Sequence, residues 1–305
     1  MDDMYLFPKD LNNLEEHESE LITYQCRDCG CIFQTHKNLS TEVCIFCNSK
    51  NINYVDGEQD NKPFVFAFKK EIDEAVKDYK SKIMFHPLVP LVFKKKKTTL
   101  TMRKAYIPAY LATVNFKGKI DFLAADKNMV VQDKKKMVET KKYDVSSDVN
   151  FDYVNVLING YSKINERTFY SMADYNCGEV LDFKEDMLKD AYYIQADISS
   201  EDGATKVKNK VKNNSLRVVK DNINHQLKKL DQNNTITNFD LFKEVLLPVY
   251  FINVKYHKKD YLYIMNAESG RSVIHVPCGI IEVIIFSLLL FGILFLLAYL
   301  FAYFV

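Results

Sequence analysis

The chain has 305 residues, with 41 Lys and Arg against 40 Asp and Glu, so its formal net charge is +1. A balance this close to zero argues against a dedicated polyanion binder. The 9 glycines include no pair at the spacing of a phosphate-cradling loop, which excludes nucleotide sites of the Walker A and dinucleotide-binding types. Metalloprotease, nucleophile-elbow and kinase signatures are also missing from the sequence. We therefore expect no nucleotide, and a protein that is not an enzyme.

Residues 1–20 are strongly acidic, with seven Asp and Glu against one lysine, Lys9. They show no apolar periodicity, so we interpret them as a solvated acidic tail. A secretory signal peptide would need a basic start and an apolar middle. Export through the N-terminus is therefore not expected.

Four cysteines form two CxxC pairs, Cys26 with Cys29 and Cys44 with Cys47, separated by 14 residues. Two residues between thiolates allow one turn to present both sulfurs to the same cation, and two such turns complete a tetrahedral shell. The spacer is slightly shorter than the usual ~15 to 20 residues. The pattern predicts a zinc ribbon over residues 21–57, with disulfides or free thiols as the alternatives.

Gly30 follows the first pair and Asn48 follows the second. Glycine and asparagine adopt the left-handed backbone conformation at the lowest cost, and that conformation turns backbone N–H groups toward the sulfurs. Four thiolates close the coordination shell, so the Zn2+ is expected to fold the module and not to catalyse. Thiolate ligands also favour a reducing compartment, which indicates the cytoplasm.

Other residues with metal-binding chemistry are less convincing ligands. Cys31 and His36 lie inside the spacer and are alternative ligands, although Cys31 is more typical of a strand residue. Cys177 and Cys278 are isolated in the sequence, and we expect both to be inert.

Residues 56–63 are polar and end in a proline, so we interpret them as a linker to an α+β domain over residues 63–276. Residues 64–68 alternate as a short strand does, and apolar positions in 70–84 recur every three or four residues as in an amphipathic helix. Residues 143–183 are mixed and polar, which predicts strands and loops.

Two segments, 107–119 and 247–259, resemble one another at an offset of 140 residues. Each runs from a proline through alternating tyrosine, valine and aromatic positions to a polar turn and a second β-rich run. Both are predicted as β-hairpins. Either the likeness is a coincidence between two aromatic strands, or the segments belong to two related halves of one domain.

Basic residues concentrate in two regions. Residues 69–142 hold 19 Lys and Arg against 8 Asp and Glu, a difference of +11, including the runs 94–97 and 134–136. Residues 206–230 are predicted as a helix with a valine stripe and a basic face. Such charge is usually a solvated face, but it also suits contact with anionic lipid or with nucleic acid.

The C-terminal segment 279–305 contains 23 consecutive uncharged residues, from Val283 to Val305. At about 1.5 Å per residue, this run can cross a hydrocarbon core of about 30 Å. It predicts a transmembrane helix. Basic residues precede it and none follows, so we expect a single-pass protein of the cell membrane with its N-terminal bulk in the cytoplasm.

A set of positions along the chain matches the pattern of one known family. These positions are Cys26, Cys29, Cys44, Cys47, Pro63-Phe64, Glu71 to Lys82, Tyr106 to Tyr110, Leu181 to Phe183, Tyr192-Tyr193, Leu246 to Tyr250 and Asn266 to Arg271. Through them the chain resembles a bacterial family of membrane-associated proteins, catalogued as transcription-factor-IIB-type zinc-ribbon-containing and sometimes labelled primosomal helicase-like. The family has no established reaction, and the resemblance implies only a ribbon on a membrane-associated body.

Three functions remain open. The first is a membrane-anchored, non-enzymatic zinc-ribbon protein whose cytoplasmic domain is a binding or scaffold module for an unidentified protein partner. The second is nucleic-acid binding by a membrane-anchored ribbon, in which Tyr24, Phe33, Phe46 and Tyr54 would stack on bases. The third is an enzyme that uses carboxylates such as Asp182, Glu185 and Asp186.

Overall fold

The computed structural model describes residues 21–39, 41–55, 63–95, 102–132, 135–257 and 259–304. The acidic tail predicted over 1–20 and nearly all of the linker predicted over 56–63 lie outside these ranges. The described residues form a large sheet with helices, an N-terminal four-cysteine cluster and a long apolar C-terminal helix, so the predicted α+β fold class is confirmed.

The elements in chain order are β1 Leu21–Cys26, β2 Ile32–His36, β3 Ile52–Tyr54, β4 Phe64–Phe66, α1 Ile72–Phe85, α2 Leu91–Lys95, β5 Arg103–Gln132, β6 Lys135–Asn159, α3 Glu166–Met172, β7 Val180–Asp182, β8 Tyr192–Ile194, α4 Ser200–Asn222, β9 Leu227–Tyr256, β10 Lys259–Asn266, β11 Ser272–Ile274 and α5 Ile280–Phe304. A 3₁₀ turn covers Glu185–Leu188.

The eleven described strands form one mixed sheet, in the order β11-β10-β9-β5-β8-β2-β1-β3. β6 pairs with β5, while β4 pairs with both β9 and β7. Helix α1 confirms the predicted amphipathic helix, since Ala75, Tyr79 and Ile83 are its buried residues. Strand β4 confirms the short strand predicted at 64–68.

Strands β5, β6 and β9 are unusually long. β5 and β9 have 30 residues each and β6 has 25, and 30 residues at ~3.3 Å each extend about 100 Å. Their far parts, residues 113–132, 135–155 and 227–241, form a three-stranded arm. One face of the arm is apolar, including Val114, Phe116 and Ile120, and α4 covers it with Val207 and Val211.

The turn predicted in β5 near residues 117–119 is wrong. β5 passes through these residues and pairs with β6 and β9 on its two sides, so ladder hydrogen bonds satisfy the backbone that a turn would have left free. Gly118 has φ of 141°, a conformation that side-chain-bearing residues rarely adopt. The second predicted hairpin is confirmed, because β9 turns at His257 and pairs with β10 from Lys259.

The helix predicted over 206–230 is correct only in its first part. α4 begins at Ser200 after the N-cap Ser199, whose side chain accepts a hydrogen bond from the Asp202 N–H. It ends at Asn222, and residues 227–230 belong to β9. The apolar stripe predicted for the helix extends past Asn222 into β9. There Leu227 pairs with β5, so cross-strand pairing takes the place of helical packing.

The strand pairing supports two related halves, β4-α1-β5-β6 and β8-α4-β9-β10. The ladder between β5 and β9 places Ile107 opposite Leu247, and these two residues are separated by the same 140 residues as the sequence repeat. The short first strand of each half pairs with a strand of the other half. β8 runs parallel to β5 at Ala105, and β4 runs parallel to β9 at Val245. A local twofold relation therefore exchanges the halves.

Equivalent hydrogen bonds follow the same relation. The hydroxyl of Tyr110 donates to the carbonyl of Ile198 at 2.6 Å, and that of Tyr250 donates to the carbonyl of Lys70 at 2.9 Å. Both acceptors directly precede the N-cap of a helix, α4 in one case and α1 in the other. Contacts this specific indicate related halves and argue against a chance likeness.

Replacing Gly118 with alanine should destabilise the arm. An added Cβ would lie 2.7 Å from the Cα of Thr235 and still closer to the carbonyl oxygen of Asn234, and φ is unfavourable for alanine. We expect a loss of about 1 to 3 kcal/mol in unfolding free energy, measured by thermal melting in detergent. Gly178→Ala is the control, because the nearest atom to its added Cβ is a side-chain oxygen at 3.4 Å. Equal melting temperatures for the two variants would contradict this geometry.

Candidate metal centre

The first cysteine pair lies at the connection from β1 to β2. Cys26 is the last residue of β1 and is fully buried. Its backbone N–H donates to the carbonyl of Cys31 at 2.9 Å, and the N–H of Gly30 donates back to the carbonyl of Cys26 at 2.8 Å. These bonds close a tight turn that brings Cys29 beside Cys26.

The second pair lies in the loop before β3 and has the same construction. The N–H of Cys44 donates to the carbonyl of Ser49 at 2.7 Å, and the N–H of Asn48 donates to the carbonyl of Cys44 at 3.0 Å. Gly30 and Asn48 have φ of 69° and 61°. The left-handed positions that the sequence predicted are confirmed at both turns.

The sulfurs of Cys26, Cys29, Cys44 and Cys47 form one cluster, in which all four atoms lie within 4.8 Å of one another. The Cys26 and Cys47 sulfurs are 3.6 Å apart, and those of Cys29 and Cys44 are 3.7 Å apart. A tetrahedral site with Zn–S bonds of ~2.3 Å has sulfurs about 3.8 Å apart. The predicted site residues therefore come together with the spacing of a tetrahedral metal site, and disulfide distances of ~2.05 Å do not describe them.

Burial makes ionisation of most of the clustered cysteines unfavourable when no cation is bound. Burial raises the pKa of Cys47 to about 11 and that of Cys29 well above its usual range. Burial also opposes ionisation of Cys26, but backbone N–H groups of Cys29 and Asp28 outweigh it and lower the Cys26 pKa. Without a cation the buried thiols resist forming four adjacent thiolates, so metal binding must release protons.

The alternative ligands lie outside the cluster. Cys31 is fully buried, and its thiol points to the carbonyl of Ile32 at 4.0 Å. His36 ends β2, and its Nδ1 accepts a hydrogen bond from the Asn38 N–H. Cys177 is partly buried beside the carbonyl of Tyr175, and Cys278 is exposed. None of the four belongs to the cluster found among the described residues.

A polar contact that the sequence did not indicate fixes the second turn to the body. The guanidinium of Arg103, the first residue of β5, donates to the carbonyl of Ile45 and, at 2.6 Å, to the side-chain oxygen of Asn48. Asn48 donates to the carbonyl of Asn253 at 2.9 Å, and Asn253 donates to the carbonyl of Phe46 at 2.8 Å. A basic residue at a strand start carries no sequence signal for this role.

The ribbon also continues the main sheet. Strand β2 pairs with β8, with Phe33 opposite Ile194. Phe46 packs edge-on against Tyr161, with ring centroids 5.4 Å apart, and also contacts Phe251. Ribbon and body thus share one apolar core, and the ribbon cysteines belong to it or pack against it.

Comparison with protein families, curated proteins and solved structures finds no match to this chain. The two features that indicate a function are the four-cysteine cluster and α5. That helix has 25 residues and a mean hydropathy of 3.0, and no part of its most apolar window is buried, so it is long and apolar enough to cross a membrane.

Replacing Cys44 with serine should abolish metal binding. Serine is a poor ligand for a soft site, and the fold of the ribbon depends on the complete shell. We expect elemental analysis to find about one metal ion per chain in the wild type and in Cys31→Ala, but a substoichiometric amount in Cys44→Ser. Loss of the metal from Cys31→Ala would show that Cys31 is itself a ligand.

Replacing Arg103 with alanine should loosen the ribbon without removing a ligand. Two hydrogen bonds from a charged group are lost, each contributing about 1.5 to 3 kcal/mol. We expect unchanged metal content, a lower melting temperature and faster metal release to a chelator. Arg103→Lys should recover only part of the effect, because one ammonium group does not reproduce the two-pronged contact. Lys50→Ala, which removes an exposed ribbon cation, is the control; an equal effect would contradict the specific role of Arg103.

Proposed function

We propose that this chain is a membrane-anchored, non-enzymatic zinc-ribbon protein whose cytoplasmic domain acts as a binding or scaffold module. The observation that carries the proposal is a closed four-sulfur cluster built into the core of a body that ends in a long apolar helix. A closed shell has no open position for water or substrate. Its effect is structural, which suits a protein that presents surfaces to a partner.

Zn2+ is the metal that this donor set favours. Tetrahedral thiolate sites suit zinc or iron, and zinc predominates where paired CxxC turns complete a closed shell. The sulfur spacings of 3.6 and 3.7 Å agree with Zn–S bonds of ~2.3 Å. This assignment also supports the resemblance to membrane-associated zinc-ribbon proteins, although that resemblance remains part of the proposal.

The orientation in the membrane follows from the compartment and from charge. Free thiolates persist in the reducing cytoplasm, which favours a cytoplasmic location for residues 21–276. Lys259 and Arg271 precede α5, in agreement with the positive-inside tendency.

The arm is a suitable surface for a protein partner. Its apolar face is covered by α4, while its other face carries exposed Lys117 and Lys119. Lys119 lies opposite Asp148 across the β5–β6 ladder, so this face carries both positive and negative charge. Mixed charge on a long, internally supported sheet favours protein recognition over binding of a polyanion.

The alternative of nucleic-acid binding has less support. Of the four ribbon aromatics proposed to stack on bases, Tyr24 and Phe33 are buried and Phe46 packs against Tyr161, which leaves Tyr54 exposed. Lysines of α4 are also engaged within the chain: Lys206 pairs with Glu166 at 3.0 Å, and Lys210 lies 3.7 Å from the ring centre of Tyr170. Both groups of residues therefore have structural roles.

The carboxylates considered for catalysis do not form a recessed site. Asp182, Glu185 and Asp186 are exposed. A hydrogen bond and ion pair with Lys189 lower the pKa of Asp186, whereas a general acid would need a raised pKa. These three residues provide no support for an enzyme.

Photo-crosslinking in membranes tests the proposal. A photoreactive residue at Tyr54 in the ribbon, or at Ile236 in the arm, should give a discrete protein adduct, because both side chains are exposed. The same residue at Tyr303 in α5 should react with lipid. Adducts from Tyr54 should disappear in Cys44→Ser, which lacks an intact ribbon.

A salt titration distinguishes the alternative. If the chain bound nucleic acid, log K would fall steeply with log salt concentration, since each phosphate contact releases counterions. We expect no such slope for the detergent-solubilised protein. A steep slope, together with no protein adduct from either surface, would contradict the binding-module proposal.

A further inference from the structure

Four apolar side chains beside the start of α5 are exposed. They are Met84 and Phe85 at the end of α1, with 62% and 82% exposure, and Leu91 and Val92 in α2, with 60% and 69% exposure. We call this group the juxtamembrane patch. The neighbouring Phe93 is buried against Tyr256, so α2 is fixed to the body while its first two side chains remain outside.

Hydrogen bonds hold the patch together. The amine of Lys94 in α2 donates to the carbonyl of Met84 at 3.0 Å, which joins α2 to the C-terminal end of α1. Ile83 and Val89 on either side of the turn are buried in the same cluster as Phe93. The exposed residues therefore belong to a packed corner of the body.

Further hydrogen bonds fix this corner to the start of α5. The N–H of Gly279 donates to the carbonyl of Leu88 at 3.0 Å, and the side chain of Glu282 accepts from the N–H of Leu91 at 3.1 Å. Gly279 directly precedes α5, and Glu282 is in its first turn. Where α5 enters a bilayer, the patch must therefore lie at the level of the lipid headgroups.

Exposed apolar side chains beside the entry point of a membrane helix are typical of surfaces that lie in the headgroup region. A protein partner at this site would have to compete with the bilayer that α5 itself enters.

We propose that the juxtamembrane patch inserts at the interface of the bilayer that α5 crosses. This inference rests on the membrane anchoring in the proposed function. The second contact restrains the rotation and tilt of the body about α5.

Tryptophan fluorescence provides a clean test, because the chain contains no tryptophan. The full-length protein is reconstituted in vesicles containing an anionic phospholipid, with Phe85→Trp as the probe of the patch. Phe291→Trp reports the interior of α5, and Tyr54→Trp reports an exposed ribbon position. We expect Phe85→Trp to show a blue-shifted emission and quenching by brominated acyl chains, both intermediate between the values for the other two variants.

The outcomes separate the two proposals. Quenching of Phe291→Trp with none for Phe85→Trp would overturn the lipid-binding patch and leave the anchor in place. No quenching of Phe291→Trp would overturn the anchor itself. Val92→Trp, at an exposed position of α2, provides a second probe of the patch if Phe85→Trp does not fold, and the same outcomes apply to it.

Discussion

The antiparallel ladder between β5 and β9 is the interaction on which the rest of the structure depends. It joins the two halves around the pair Ile107 and Leu247, and it extends through the arm. The ribbon reaches it through β8, which pairs with β5, and the long apolar helix α5 reaches it through β10 and β11. Its residues are far apart in the sequence, so its formation requires closure of a long loop and should be slow relative to helix formation.

The four-cysteine cluster is not part of an isolated module. A free ribbon of about 35 residues buries too little apolar surface to fold alone, but here its aromatic residues belong to the same core as Ile107 and Phe251. Closure of the cysteine cluster and docking of the ribbon therefore support one another, because each orders the loop that the other requires. Arg103 and Asn253 link the second cysteine turn directly to the two central strands.

The local patterns predicted much of this architecture. Cysteine spacing identified the cluster, and Gly30 and Asn48 identified its turns, because both signals depend on covalent geometry within a few residues. The repeat was visible because equivalent side chains, such as Tyr110 and Tyr250, make equivalent contacts. Strand ends were not predictable, since only the paired neighbours show that β5 continues through Gly118 and that β9 begins before Leu230. The contact of Arg103 with the ribbon, likewise, depends wholly on tertiary placement.

The four-cysteine cluster and the juxtamembrane patch lie on opposite faces of β9 and β10. Tyr250, Ile252 and Tyr263 pack on the side of α1 and α2, whereas Phe251 and Ile264 pack in the cluster that contains the ribbon cysteines. Alternation along a strand makes this separation unavoidable, because successive side chains point to opposite faces. The same two strands therefore support both features, one on each side of the sheet.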